Sequence, residues 1–198
     1  MPRRTAREAT AGPGLQSVKA VIDLYRAGGA LDSPEEAARL LEALRSDLLV
    51  RDDSWARMEP EHGQAHLRMW TDLTRLAPRG YVAPPASLLA FTAWQLGDGA
   101  LANVALDRAL ADAPDYSMAM LIRDAIDSGA PPSMARLPMT PEQVADAYLG
   151  AAEAEDRAEA EAEGEGRRGS SGDAGAPGGE AAPASLPATG TSSASPAS

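Results

Sequence analysis

The sequence contains no cysteine, which excludes disulfides, thiolate zinc sites and thiol nucleophiles. It has two histidines and one lysine against 17 arginines, and only 4% of its residues are aromatic. No run of about 18 apolar residues occurs, the length that a membrane-spanning helix needs. These absences leave few residue types for catalysis or metal binding, and they argue against insertion into a membrane.

Positive charge is also scarce. The formal net charge is −11, with 15 basic against 20 acidic residues in 1–150 and 3 against 9 in 151–198. Nucleic-acid binding usually requires a basic patch, which this chain lacks. We therefore expect no nucleic-acid partner, no membrane insertion and no cofactor, and a location in the cytoplasm.

Helical periodicity predicts a small all-α domain over residues 15–150, with six or seven helices. One of the clearest helix starts is Ser33, with Pro34 at the first helical position and Glu36 completing a capping pattern. No alternating β-branched run predicts a strand. Residues 1–14 are expected to be a disordered leader.

Residues 81–129 are predicted to be the best-defined part of this domain, as three short helices joined by turns. Pro84 and Pro85 suit a first helical turn, Gly97 suits a left-handed helix end, and Pro114 ends the second helix. Because the turns are short, neighbouring helices should pack antiparallel.

The C-terminal quarter of the chain is expected to lose this packing. Thr140 and Gln143 predict another capped helix start, but residues 151–168 alternate alanine with like charges and predict a frayed helix. Residues 169–198 are rich in Gly, Ser, Ala and Pro, which predicts a disordered tail.

The second of the three short helices, with its flanks, resembles the back half of a tetratricopeptide repeat. The matching positions are Gly97, Asp98, Ala102, Leu106, Ala109 and Pro114. Small residues at such positions let two helices approach closely. The front half of the repeat departs from the pattern, and a solenoid needs at least about three repeats, so the resemblance implies one helical hairpin.

A longer run, YVAPPASLLAFTAWQLGDGALANVALDRALADAPDYSMA from Tyr81, resembles the C-terminal signature of an uncharacterised actinobacterial family, domain of unknown function 4192. The resemblance covers about residues 15–138. That family also has an N-terminal half of mixed helix and strand with a Leu-Gly-Phe segment, which is not found here. The resemblance therefore implies a shortened member or a start inside a longer reading frame, and it brings no activity, cofactor or catalytic residue.

Two histidines are the candidates for a metal site. His62 and His66 lie four residues apart on a predicted helix, the spacing that lets two imidazoles meet one zinc ion, with Glu59 or Glu61 as a third ligand. The glutamate pattern of zinc proteases is absent, and Gly63 loosens the turn. We favour exposed surface histidines and leave metal binding open.

Acidic pairs are candidates for acid–base chemistry or magnesium binding. They are Asp52, Asp53, Asp112, Asp115, Asp124 and Asp127. In an acidic protein we expect them to be solvated or to cap helices, because carboxylates are favoured near helix N-termini. No nucleophile elbow, P-loop or dinucleotide motif is present, so no catalytic residue is assigned.

Most large aromatic side chains should lie in the core, but some are expected to line a partner-binding groove. We assign Phe91, Trp94 and Tyr116 as the candidate partner surface. The expected function is a non-enzymatic helical protein–protein interaction module with an unidentified protein partner, and self-association stays open.

The alternative function is that of a C-terminal fragment of an enzyme or ligand-binding protein whose active half is missing from this chain. His62, His66 or Asp52 would then be the remnant of its site. The two functions differ in what the polar residues are for, and the sequence alone leaves both open.

Overall fold

The computed structural model describes residues 3–134 and 139–170, and this part of the chain is all helical, without a strand. The class predicted from the sequence is therefore confirmed. The α-helices are α1 Arg3–Arg26, α2 Pro34–Ser46, α3 Leu48–Ala56, α4 Gly63–Leu76, α5 Ala83–Gln95, α6 Gly99–Asp112, α7 Ser117–Asp127 and α8 Pro141–Ser170, with single 3-10 turns at Pro60–His62 and Pro132–Met134.

The N-terminal helices differ in two ways from the expectation. α1 begins at Arg3 and includes residues 3–14, where the sequence suggested a leader. Gly14 is buried, and a Cβ there would lie 2.8 Å from Cγ2 of Val50, so a glycine lets α1 pass close to α3. α3 itself is a separate helix capped by Asp47, whose Oδ1 accepts from the Leu49 amide at 2.9 Å. The described residues thus contain eight α-helices rather than six or seven.

α5 lies at the centre of the helical array. Every side chain from Ala83 to Trp94 is buried, and the helix contacts α2, α4, α6 and α7. A helix that is apolar on all sides is stable only when other elements surround it. The close packing against α6 rests on small side chains, since Ala102, Ala105 and Ala109 are almost completely buried.

The predicted helix ends are present. Gly97 has φ +80° and Gly129 has φ +76°, the left-handed conformation that ends α5 and α7. The Ser33 hydroxyl accepts from the Glu36 amide at 3.2 Å at the start of α2. At the start of α8, Thr140 Oγ1 accepts from the Gln143 amide at 3.3 Å, and Gln143 Oε1 accepts from the Thr140 amide at 2.9 Å. This reciprocal pair is a complete capping box.

The chain divides into two units, Met1–Glu159 and Ala160–Ser198. The first unit contains α1–α7 and the first part of α8. In the second unit the structure describes residues 160–170, which are helical. α8 includes residues 151–168, and the fraying that we expected there stays a prediction. The tail predicted beyond residue 170 lies outside the described residues.

Candidate functional site

Three aromatic rings form a connected layer between α3 and α5. The rings of Trp55 and Phe91 meet edge to face with centroids 5.2 Å apart, and those of Phe91 and Trp94 do so at 6.3 Å. Such pairs add about 0.5–1.5 kcal/mol beyond their burial. Phe91 is 3% exposed and Trp94 is 8% exposed. The structure therefore places these two candidate partner residues in the core, on the helix against which α6 and α7 pack.

Tyr116 is the third residue of the candidate partner surface. It directly precedes α7 and is only partly buried. The guanidinium carbon of Arg51 lies 5.9 Å from the centroid of its ring, within the range of a cation–π contact. Burial raises the pKa of the Tyr116 phenol, although Arg51 acts in the opposite direction. Tyr116 thus connects α7 with α3, and the residue as a whole is partly exposed.

Large apolar side chains are exposed on α6 and α7. Val104 of α6 is 62% exposed, and Met120 and Leu121 of α7 are 47% and 59% exposed. Arg123 holds the two helices together, because its Nη1 donates to Asn103 at 2.9 Å and its Nη2 to Asp107 at 2.5 Å. We refer to Val104, Met120 and Leu121 as the α6–α7 apolar residues. None of the three belongs to the buried core.

An apolar groove lies between α2 and the connection from α4 to α5. It has a volume of about 360 Å³ and is lined by Pro34, Ala37, Ala38, Leu41, Glu42, Leu76, Pro78 and Tyr81. Tyr81 forms its polar edge, since its hydroxyl donates to Glu42 at 2.8 Å and the Arg45 guanidinium lies 4.7 Å from its ring centroid. The groove has the chemistry to accept an apolar side chain. Sequence analysis missed it because α2 and the connection are far apart along the chain.

The two histidines lie in different environments. His62 is exposed, with Nδ1 3.1 Å from Glu59 Oε2. His66 is 2% exposed, and neither of its ring nitrogens has a hydrogen-bond partner among the described residues. The expectation of a surface residue is therefore wrong for His66. Its position, three before Met69 and four before Trp70, puts it on the buried face of α4, and this spacing is visible in the sequence.

The electrostatic surroundings of His66 keep it neutral. Burial, followed by the positive charges of Arg26 and His62, lowers the pKa of His66 from 6.5 to about 4. Glu59 and a weak interaction with the Arg57 backbone, which does not have the geometry of a hydrogen bond, act in the opposite direction but do not offset them. Within residues 3–134 and 139–170, no three His, Asp or Glu side chains are grouped closely enough to hold a metal ion.

The pair Asp52–Asp53 is divided between two ion pairs. Asp52 pairs with Arg51 at 2.7 Å. Asp53 is 2% exposed and accepts two hydrogen bonds from Arg57, at 2.6 and 2.9 Å. The expectation of a solvated or capping carboxylate is therefore wrong for Asp53, because Arg57 one turn later compensates its charge inside the fold. The carboxylates are held by arginines rather than turned toward a common ligand.

Asp112 caps the N-terminus of α5 from the end of α6. Its carboxylate accepts from the backbone amides of Gly80, Val82 and Ala83 at 2.6, 2.8 and 3.2 Å. Asp112 therefore serves a helix end, but that helix is α5, about 30 residues earlier in the chain, and not the local helix end that we expected. The remaining acidic candidates, Asp115, Asp124 and Asp127, are exposed.

The described residues thus form a helical array whose polar groups serve packing, capping and ion pairing. None of its helices has the length and apolar character needed to cross a bilayer. A family model described as "Domain of unknown function (DUF4192)" matches residues 1–133, and the chain belongs to that family. No curated protein and no solved structure matches the chain.

Proposed function

We propose that the protein is a non-enzymatic helical interaction module that binds another protein through the α6–α7 apolar residues. The observation that carries this proposal is the exposure of Val104, Met120 and Leu121 on two neighbouring helices. Exposed apolar area of this kind is typical of a protein-binding face.

The packing of α5 against α6 supports this proposal. Buried alanines bring the two helices close, as in a tetratricopeptide hairpin, and such hairpins present extended surfaces for partner binding. Tyr116 is partly exposed and can contribute to this surface, whereas Phe91 and Trp94 stabilise it from the core. The partner we propose is a protein with a complementary apolar patch, and a second copy of this chain is one such partner.

Charge substitution tests the proposal. We expect Val104→Glu with Leu121→Glu to abolish co-purification of a partner captured by the wild-type chain, and to abolish any concentration-dependent self-association in sedimentation velocity. The matched control is Arg108→Glu, which adds negative charge to an exposed position of α6 without removing an apolar contact. If both variants retain the same partners as the wild type, the α6–α7 residues are not the binding surface.

Metal content separates the proposal from the alternative of an enzyme or ligand-binding fragment. The feature that favours the alternative is His66, whose buried ring nitrogens have no hydrogen-bond partner in the described structure. Elemental analysis of the purified chain should find no stoichiometric zinc or manganese. One metal ion per chain, lost in the variant His62→Ala with His66→Gln, would reverse the ranking.

Location and nucleic-acid binding remain predictions in this proposal. The net charge of −11 supports the absence of a nucleic-acid partner, because electrostatic attraction to phosphates dominates such binding. Filter binding at low salt tests this point, and cell fractionation tests the cytoplasmic location.

A further inference from the structure

Among the described residues, a small apolar cluster separate from the main core connects α8 with α1 and α3. Val144 packs against Leu49, and partly buried apolar side chains surround the pair: Leu15, Ala56, Ala145 and Tyr148. Val144 is 2% exposed and Leu49 is 7% exposed. We call the α1 and α3 side of this contact, formed by Leu15, Leu49, Asp52 and Ala56, the α8-docking surface.

One hydrogen bond adds specificity to this contact. The Tyr148 hydroxyl donates to Asp52 Oδ2 at 2.6 Å, and the same carboxylate pairs with Arg51 at 2.7 Å. Burial and the bond to Asp52 raise the pKa of Tyr148 above its usual range, so the phenol remains a donor. The surface therefore accepts an aliphatic side chain and, one helical turn later, a hydrogen-bond donor at the tip of an aromatic ring.

The surface and its occupant belong to different parts of the chain. Leu49 and Asp52 lie within residues 1–133, which the family model matches, whereas α8 begins at Pro141. Ala152 is the last buried side chain among those that the structure describes in α8, and the described side chains among residues 153–162 are all exposed. A helix attached by so few buried contacts opens at lower free energy than the core helices do.

We propose that the α8-docking surface is a helix-binding site of the family domain, and that α8 occupies it as an internal ligand. The partner that fits is an amphipathic helix with an aliphatic residue followed four positions later by a tyrosine, the chemistry that Val144 and Tyr148 present. While α8 is docked the site is closed, so the apparent affinity for a partner is reduced by the fraction of molecules that are open. This site shares no residue with the α6–α7 apolar residues and does not depend on the function proposed for them.

A peptide of the chain itself serves as the probe. Labelled peptide 139–155 is titrated by fluorescence anisotropy against the full-length wild type and against the full-length variant Val144→Asp with Tyr148→Ala, in which α8 no longer fits. We expect the variant to bind the probe at least about tenfold more tightly than the wild type, because its site is open. A probe carrying the same two substitutions should not bind either chain.

Further variants assign the binding to this surface. Adding Leu49→Asp to the open variant should abolish probe binding, whereas adding Val104→Glu should leave it unchanged, which separates this site from the α6–α7 residues. Circular dichroism confirms that each variant is folded, and if the open variant is not, Val144→Ser with Tyr148→Phe opens the contact more mildly.

The outcomes decide the proposal. It is overturned if the folded open variant does not bind the probe, or if the wild type binds it as tightly. A concentration-dependent dimer of the wild type that Val144→Asp abolishes would support the site and identify a second copy as its occupant.

Discussion

α5 and α8 are both rich in alanine, yet different interactions stabilise them. α5 has 13 residues, and those from Ala83 to Trp94 are all buried. α8 has 30 residues, and its described buried side chains are Val144 and Ala152. The comparison shows that tertiary contacts on every side stabilise α5, whereas helix propensity and one strip of contacts stabilise α8.

The same contrast extends to the helix starts. The first turn of α5 has no cap from its own sequence, and Asp112 of α6 provides the acceptor. The first turn of α8 is capped locally by Thr140 and Gln143. α5 therefore depends on the rest of the fold for both its side chains and its backbone, and perturbing it should have global effects that perturbing α8 does not have.

Leu88→Ala in α5 should have the largest effect on stability. Leu88 is 0% exposed, and truncating a buried leucine costs about 2–5 kcal/mol of unfolding free energy through lost burial and the cavity left behind. Chemical denaturation monitored by circular dichroism measures the change. The matched substitution in α8, Leu149→Ala, should cost about 1 kcal/mol or less because Leu149 is only partly buried. Equal losses would break the contrast between the two helices.

The next largest effect should be a pH dependence of the free energy of unfolding, caused by His66. This residue lies on α4, which packs against α5. Its pKa is about 4 in the folded chain against 6.5 for a free histidine. Between these values the unfolded chain binds a proton that the folded chain does not, so the free energy of unfolding falls as the pH decreases from 6.5 toward 4. The loss attributable to His66 is on the order of 3 kcal/mol.

His66→Leu isolates this contribution from that of the carboxylates. The variant should be at least as stable as the wild type at pH 7, because it removes two buried nitrogens without hydrogen-bond partners. Its stability should depend less on pH between 6.5 and 4, as measured by urea denaturation at several pH values. His62→Leu is the control and should keep most of the wild-type dependence, since it removes only one of the smaller causes of the low His66 pKa and leaves the burial of His66 unchanged. An unchanged pH dependence in His66→Leu would show that His66 is not buried as a neutral base.

Asp112→Ala should have the third largest effect, about 1–3 kcal/mol, because three amides at the start of α5 lose a charged acceptor. Thermal denaturation and hydrogen exchange at residues 80–86 measure the loss. Asp127→Ala removes an exposed carboxylate from the end of α7 and should change stability by less than about 0.5 kcal/mol. If the two substitutions cost the same, Asp112 does not hold α5 in solution.

The helix boundaries and the buried face of α4 could be predicted from the sequence, because the residues that determine them are close together along the chain. Gly97 and Gly129 mark helix ends through their conformational freedom, and Thr140 marks a helix start through hydrogen bonding within one turn. His66 lies three and four residues before Met69 and Trp70 of α4, and this spacing indicates that it is buried with them.

The remaining features could not be predicted because they depend on tertiary contacts between distant residues. The link between Asp112 and α5 spans about 30 residues, and that between Tyr148 and Asp52 spans 96. The same reason explains the candidate surface: an aromatic residue such as Phe91 indicates apolar area, but only the packing of α5 decides which apolar residues remain exposed.

Deleting residues 155–198, which include the C-terminal half of α8, should have the smallest effect on thermal stability. The described side chains beyond Ala152 are exposed as far as residue 162, so removing them takes away no described buried contact. We expect the thermal midpoint to change by less than about 1 °C, since each kcal/mol corresponds to about 2–4 °C in a domain of this size, while the helical signal at 222 nm decreases. The control is a chain ending at residue 140, which also lacks Val144 and Tyr148 and should melt at a lower temperature because Leu49 becomes exposed. A drop of several degrees on deleting 155–198 alone would mean that the segment docks on the folded domain.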